Sequence, residues 1–373
     1  MQKDNKNNIK KIQDALKKRE IKIINRLKRN SPQQEQIIQS IYHRNHAKPI
    51  IIKQGNKRPA YTKKHETQKI LLSQRKKTEF LTTIIGKTTR LNLRERGSFN
   101  ASILKISENK ILCVYRNDEQ NFTSCFMSND LKIDPKSFHK LNMKNVQVTD
   151  PRLIITPNNK VLMSYSRHFD DGQEGIAANI ILNLNNTSHQ INIENSIRIS
   201  PNTLSERQKN WIPFVYENEI YFIATICPHR VYKINFEKNP VAELFYSTDW
   251  NHAWFNNNSL RGNTTPLLLS DGNYLSTFHT STLIKHTHFY DNGFYVFEGK
   301  PPFRPLYCSY KTFLCAEDAK EPYFRKHNQI LCPFPVGMIY NQDKVLISYG
   351  DNDSCVKILE VGLENIYKTM VKI

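Results

Sequence analysis

From about residue 97 onward, the chain alternates short apolar runs with clusters of Asn, Asp and Gly. The clearest unit is a pair of runs joined by a polar turn. ASILKI-SENK-ILCVYR spans 101–116, PRLIIT-PNNK-VLMSYSR spans 151–167, and WIPFVY-ENE-IYFIATI spans 211–226. TPLLLS-DGN-YLSTFHTS spans 265–281 and PVGMIY-NQDK-VLISYGD spans 335–351. β-Branched and aromatic residues dominate the flanks, and the turns hold residues that accept tight backbone conformations, so each unit predicts a β-hairpin. More strand-like sequence follows some hairpins, such as IAANIILNL at 176–184 and RVYKINFE at 230–237, which fits four strands per unit. The hairpins recur every ~54 residues, close to the period of propeller repeats. Helical periodicity is nearly absent from this region. The predicted fold class is all-β: a five-bladed β-propeller over 97–373. Two packed sheets or a parallel β-helix fit the hairpin pitch less well.

The N-terminal pattern differs. Ile9, Ile12, Leu16, Ile23 and Leu27 recur at helical spacings within NIKKIQDALKKREIKIINRLKRN (8–30), and Lys and Arg fill the other faces. Asn30-Ser31-Pro32 ends this amphipathic helix. Ile37, Ile38 and Ile41 suggest a second short helix, 47–68 reads as a polar linker, and 69–85 as a third helix. Residues 1–96 are therefore expected to form a basic, mainly helical extension.

Charge follows the same division. The whole chain carries a net charge of +20. Residues 1–96 hold 26 Lys and Arg against 7 Asp and Glu, a net of +19, which leaves +1 for the rest. The global charge thus says nothing about the chemistry of the propeller. The arm can pack on the body or on a second copy, or meet anionic lipid or an acidic partner. Nucleic acid is disfavoured, because interleaved aromatics and base-reading motifs are missing. The seven cysteines are scattered and never spaced as CxxC, which predicts reduced thiols and no zinc site. The N-terminus lacks an apolar signal core and no apolar run is long enough to span a bilayer, so a cytoplasmic location is expected.

The notable polar residues flank the hairpins at equivalent places. Asn100, Asp150, Lys209-Asn210, Arg261 with Asn263, and Pro333-Phe334 precede first strands. Arg116, Arg167-His168, His229, His279 and Asp351-Asn352-Asp353 follow second strands. The first strand of each propeller blade lines the central channel, and a hairpin returns to its starting end, so both sets are expected at one mouth. Asp150, Asp351 and Asp353 would face Arg116, Arg152, Lys209, Arg261, His229 and His279. Several cations around few carboxylates suit an anionic substrate or co-substrate, phosphate being the simplest. The His and Asp residues lack close ligand spacing, so no metal is expected.

These motifs resemble those of the five-bladed propeller enzymes of glycoside hydrolase family 130, the β-mannoside phosphorylases, and related propeller mannosyltransferases. Ser98-Phe99-Asn100 resembles the family's segment opening blade one, and Arg116 the arginine of the next strand. VQVTDPR (146–152) resembles the segment of the catalytic aspartate, which falls on Asp150. Lys209 resembles the phosphate-contacting lysine and His279 the histidine ending blade four's hairpin. FPVGMIY (334–340) and ISYGDND (347–353) resemble a Phe-Pro-x-Gly and Tyr-Gly-x-x-Asp pair, matching Tyr349 and Asp353. RGNTTP (261–266), KNWIPF and CPHRV depart from the best-known phosphorylases.

Hydrolytic glycosidases need two carboxylates, one as acid and one to activate water or attack the sugar. A phosphorylase needs one, because phosphate is already a charged nucleophile. The resemblance implies Asp150 as general acid, acting directly or through a sugar hydroxyl. It implies Arg116, Lys209, His279 and Tyr349 as phosphate ligands for in-line attack with inversion. Asn100, Arg152, Asn210, His229, Arg261 and Asp353 are the expected substrate contacts. No cofactor is expected; inorganic phosphate, a sugar phosphate or a sugar nucleotide would be the co-substrate, and a carbohydrate the partner. Two alternatives stand beside this reading: a GDP-mannose-dependent mannosyltransferase on the same scaffold, and a non-catalytic propeller that binds a glycan or a protein.

Overall fold

The computed structural model describes residues 86–373, apart from 96, 118–120, 144–146, 170–173, 186–190, 194–196, 202–208, 235, 237–240, 251–259, 285–286 and 322–328. The helices expected within 1–85 lie outside the described residues.

The body is a five-bladed β-propeller. Blade 1 consists of Phe99–Ser107, Lys110–Arg116, Phe122–Met127 and His139–Leu141 in antiparallel order. Blade 2 runs Val148–Ile155, Lys160–His168, Glu174–Asn183 and Ile197–Pro201. Blade 3 runs Ile212–Tyr216, Glu219–Thr225, His229–Ile234 and Val241–Thr248. Blade 4 is built on the long hairpin Tyr274–Ile284 and Thr287–Phe297, and blade 5 on Pro333–Asn341, Lys344–Asp351 and Cys355–Gly362.

The fourth blade differs from the sequence expectation. Its inner strand is broken into Arg261–Gly262 and Leu267–Leu268, because Thr264, Thr265 and Pro266 interrupt the ladder. The register gained instead lies between 274–284 and 287–297, a pairing that the sequence pattern did not reveal.

Two chain ends complete the ring. Lys87–Arg90 pairs antiparallel with Ile358-bearing Cys355–Gly362 and forms the outer strand of blade 5. This strand lies ahead of residue 97, where the apolar texture begins. Met370–Lys372 pairs with Pro305–Ser309 at the outer edge of blade 4. Edges that would otherwise stand open are thereby covered.

Strand alternation explains the core. In Lys110–Arg116, Leu112 and Val114 face blade 2, while Ile111, Cys113 and Tyr115 face blade 5. The same period-two rule gives one apolar layer at each blade junction. Leu153 and Met163 meet blade 1, Trp211 and Phe222 meet blade 2, Phe214 meets Tyr274 and Phe297, and Met338 and Ile347 meet blade 4. Stacking of sheets face to face makes the blades converge at their inner strands. There, side-chain room vanishes: a Cβ on Gly337 would strike the backbone of Ser102 and Ile103 in blade 1.

Candidate active site

The channel mouth is shaped by backbone conformation first. Asn100, Asp150 and Asn210 have φ of 48°, 56° and 62°, in the left-handed region that non-glycine residues seldom enter. Asn100 and Asp150 sit where the inner strand slips register against its partner, between Phe99 and Ser102 in blade 1 and between Thr149 and Arg152 in blade 2. Such bulges re-aim one side chain out of the alternation. Asn and Asp tolerate this conformation best among residues with a Cβ, which accounts for their presence at equivalent points.

The re-aimed groups form a hydrogen-bonded belt through all five blades. Asn100 Nδ2 donates to Asp150 Oδ1 at 3.0 Å and to Asp353 Oδ1 at 3.5 Å, joining blades 1, 2 and 5. Arg152, fully buried, donates from Nε to the Asn263 carbonyl at 2.7 Å and from Nη1 to the Asp150 carbonyl at 3.0 Å. Its Nη2 reaches Asn210 Oδ1 at 3.5 Å. Asn263 Nδ2 donates to Asn292 Oδ1 at 2.9 Å, and Asn292 Nδ2 donates to the Leu314 and Pro333 carbonyls at 3.0 and 2.8 Å. Pro333 opens blade 5, which closes the belt.

Burial sets the charges. Arg152 is pushed down to about 10 by loss of solvent, with Asp150 opposing the shift, so it stays cationic at neutral pH. The His279 ring is held well below the ordinary histidine value by burial, and then by the positive charges of Arg261, Arg152 and Lys209. His279 is neutral as a result. Its ring stacks on Tyr290 at 5.3 Å and meets Phe334 edge-on at 5.2 Å. The Cys332 thiol is raised by burial and by the carboxylates of Asp353, Asp150 and Asp351. His279 thus feels the cations of the mouth, and Cys332 chiefly its carboxylates.

Not all the expected residues meet there. Asn100, Asp150, Arg152, Asn210, His279 and Asp353 are linked directly or through Asn263. Arg261 pairs in register with His279 and is exposed, and Lys209 lies next to Asn210 with its ammonium 3.6 Å from Glu174. Arg116 ends its strand opposite Phe99, with the guanidinium over that ring at 5.1 Å. Three expected residues point elsewhere. His229 is fully buried in the aromatic layer between blades 3 and 4, with its ring 5.1 Å from Phe297 and 5.8 Å from Tyr295. It begins the third strand of its blade rather than ending the second, so its side chain faces the core. Tyr349 shares the face of Val345 and Ile347 and lies in the apolar layer between blades 4 and 5. Asp351 is fully buried and binds Lys357 Nζ at 2.6 Å and the Lys320 and Glu321 amides, which makes it an anchor of the chain rather than a group at the mouth.

The structure adds Asn292, Tyr290, Cys332 and Glu174 to the region. Asn292 lies mid-strand in the pairing that the sequence did not reveal, so nothing in the pattern marked it.

The comparisons with known proteins agree with the propeller fold. A family model described as β-1,4-mannooligosaccharide phosphorylase matches residues 62–372. The chain belongs to glycoside hydrolase family 130. Solved structures share the fold of this family 130 protein at low identity. A β-1,2-mannobiose phosphorylase from Listeria innocua is 12% identical, with 77% of this chain and 99% of that one covered and a TM-score of 0.51. A GDP-mannose-dependent mannosyltransferase from Leishmania mexicana is 14% identical, with 79% and 95% covered and a TM-score of 0.52. A glycosyl hydrolase from Bacteroides ovatus is 12% identical, with 78% and 93% covered and a TM-score of 0.51. A search of curated proteins finds no significant match.

Proposed function

We propose that this family 130 protein is an inverting β-mannoside phosphorylase. The observation that carries the reading is one acid placed beside a group of cations. Asp150 adopts a left-handed backbone and is held by Asn100, while Arg152, Lys209 and Arg261 exert their charge at His279 in the same constellation. One carboxylic acid and an electropositive cradle are what phosphorolysis needs and what two-carboxylate hydrolysis does not.

Asp150 acts as general acid and protonates the leaving oxygen, directly or through a sugar hydroxyl. Phosphate is held by Lys209 and Arg261 beside His279, and attacks the anomeric carbon as the glycosidic bond breaks. Asn100 fixes the Asp150 carboxyl and holds Asp353 beside it, so that both carboxylates are kept in place for the sugar. Arg152 acts through its neighbours: it ties Asp150, Asn210 and Asn263 together from beneath. Tyr349 and His229, which lie in the apolar layers between blades, are given no role in this scheme.

The family 130 fold also carries nucleotide-sugar transfer in the Leishmania relative, so the donor is tested directly. The protein is incubated with β-mannosides and inorganic phosphate, and separately with GDP-mannose and mannoside acceptors. Formation of mannose 1-phosphate that is lost in Asp150→Asn supports the reading. Turnover of the nucleotide sugar alone refutes it.

A further inference from the structure

The belt fixes not only positions but also the proton on His279. Asn292 Nδ2 lies 3.0 Å from the Leu314 carbonyl and 2.8 Å from the Pro333 carbonyl. Main-chain carbonyls only accept, so the NH2 of Asn292 must face them and its Oδ1 must face Asn263. That oxygen accepts at 2.9 Å from Asn263, which requires the Asn263 NH2 on that side. Asn263 Oδ1 then faces His279 Nδ1, and an amide oxygen can only accept there. His279 Nδ1 therefore carries the hydrogen, and Nε2 of the neutral ring carries a lone pair. Two backbone carbonyls, one of them in blade 5, thus dictate the tautomer of a histidine in blade 4 through two amides.

We propose that this relay makes His279 a hydrogen-bond acceptor, so that the pocket selects an oxyanion bearing a proton and discriminates against anions of the same shape that bear none. The proposal deepens the phosphorylase reading and rests on it. Cations at Lys209, Arg261 and Arg152 attract any anion, but the lone pair on Nε2 repels a bare oxygen and accepts from a hydroxyl. At neutral pH inorganic phosphate and arsenate keep at least one protonated oxygen. Sulfate keeps none, although its charge and shape match monohydrogen phosphate. A diphosphate diester, as in a sugar nucleotide, also lacks a proton. Asn263 and Asn292 are positioning residues in this scheme and act only through the ring.

The test uses the full chain with 15N-labelled histidine. Long-range nitrogen–proton NMR reads the tautomer of His279 in the free protein, with the signal assigned by its loss in His279→Gln. An Nδ1–H ring is expected; an Nε2–H ring or an imidazolium overturns the proposal. Calorimetric titrations with inorganic phosphate, arsenate and sulfate at neutral pH read the selection. Phosphate and arsenate are expected to bind alike and sulfate at least about tenfold more weakly, one hydrogen bond being replaced by a repulsion. Equal binding of sulfate overturns the proposal. In Asn292→Leu the amide of Asn263 is released, and the sulfate-to-phosphate affinity ratio is expected to rise several-fold. A folded variant with the ratio unchanged also overturns it. If none of the three anions binds, the phosphate reading fails and the selection with it, while the tautomer still reports separately on the relay.

Discussion

At the scale of residues, several side chains of the mouth are held in unfavourable backbone or solvent environments. Asp150 occupies the left-handed region at a cost of ~1 kcal/mol or more, offset by the bond from Asn100. Asp150→Asn preserves the shape and removes the proton donor. Its turnover number is expected to fall by about 10²–10⁴-fold with an unchanged melting temperature, measured by product formation and thermal denaturation. His229 is the residue-scale counterexample. Placed after a hairpin, it looked like a mouth residue; its strand parity sends it into the core instead. Burial pushes it down to about 3. Because the unfolded chain binds a proton near pH 6.5 and the folded one does not, stability falls as pH drops from about 6.5 toward 3, by up to ~1.4 kcal/mol per unit from this residue. His229→Phe, placed among Tyr295 and Phe297, is expected to flatten that slope in denaturant titrations across this range. An unchanged slope would show that other groups set the acid sensitivity.

At the scale of elements, the hairpins were legible because their two-residue alternation and polar turns are local signals. The pairing of 274–284 with 287–297 was not, since a broken inner strand hides the blade's usual spacing. Tyr349 shows the same limit from the other side. Its shared parity with Val345 and Ile347 marks a core face, but the Tyr-Gly-x-x-Asp resemblance pointed to the pocket. Gly350, next to it, is fixed by contact rather than by turn geometry. A Cβ there would collide with the amide of Asn100. Gly350→Ala is therefore expected to displace Asn100 from Asp150, to cost about 1–3 kcal/mol in chemical denaturation, and to reduce turnover with little change in fold. Retention of both full stability and full activity would show that the second strand of blade 5 and the inner strand of blade 1 can part without consequence.

At the scale of the whole molecule, the ring is completed by Lys87–Arg90 and Met370–Lys372, and nearly all the net charge of the sequence precedes residue 97. Removal of residues 1–85 is expected to leave a soluble, folded propeller, because the first described strand begins at Lys87. Removal of 1–90 deletes the outer strand of blade 5 and its pairing with 357–360. That deletion is expected to destabilise by several kcal/mol, at about 1 per lost backbone hydrogen bond, and to lower the melting temperature clearly below that of the shorter deletion. An insoluble product from removal of 1–85 would show that the arm is part of the fold.

The belt of amides and charges is itself a property of the whole ring, since every blade contributes at least one link and none builds the mouth alone. Its chemical purpose is tested most directly by the anomer of the product. With a β-mannoside and inorganic phosphate, a single acid at Asp150 and phosphate attacking from the opposite side yield α-mannose 1-phosphate, which proton and phosphorus NMR identify as it forms. The β-anomer of the sugar phosphate, or free mannose with phosphate unconsumed, would contradict the account.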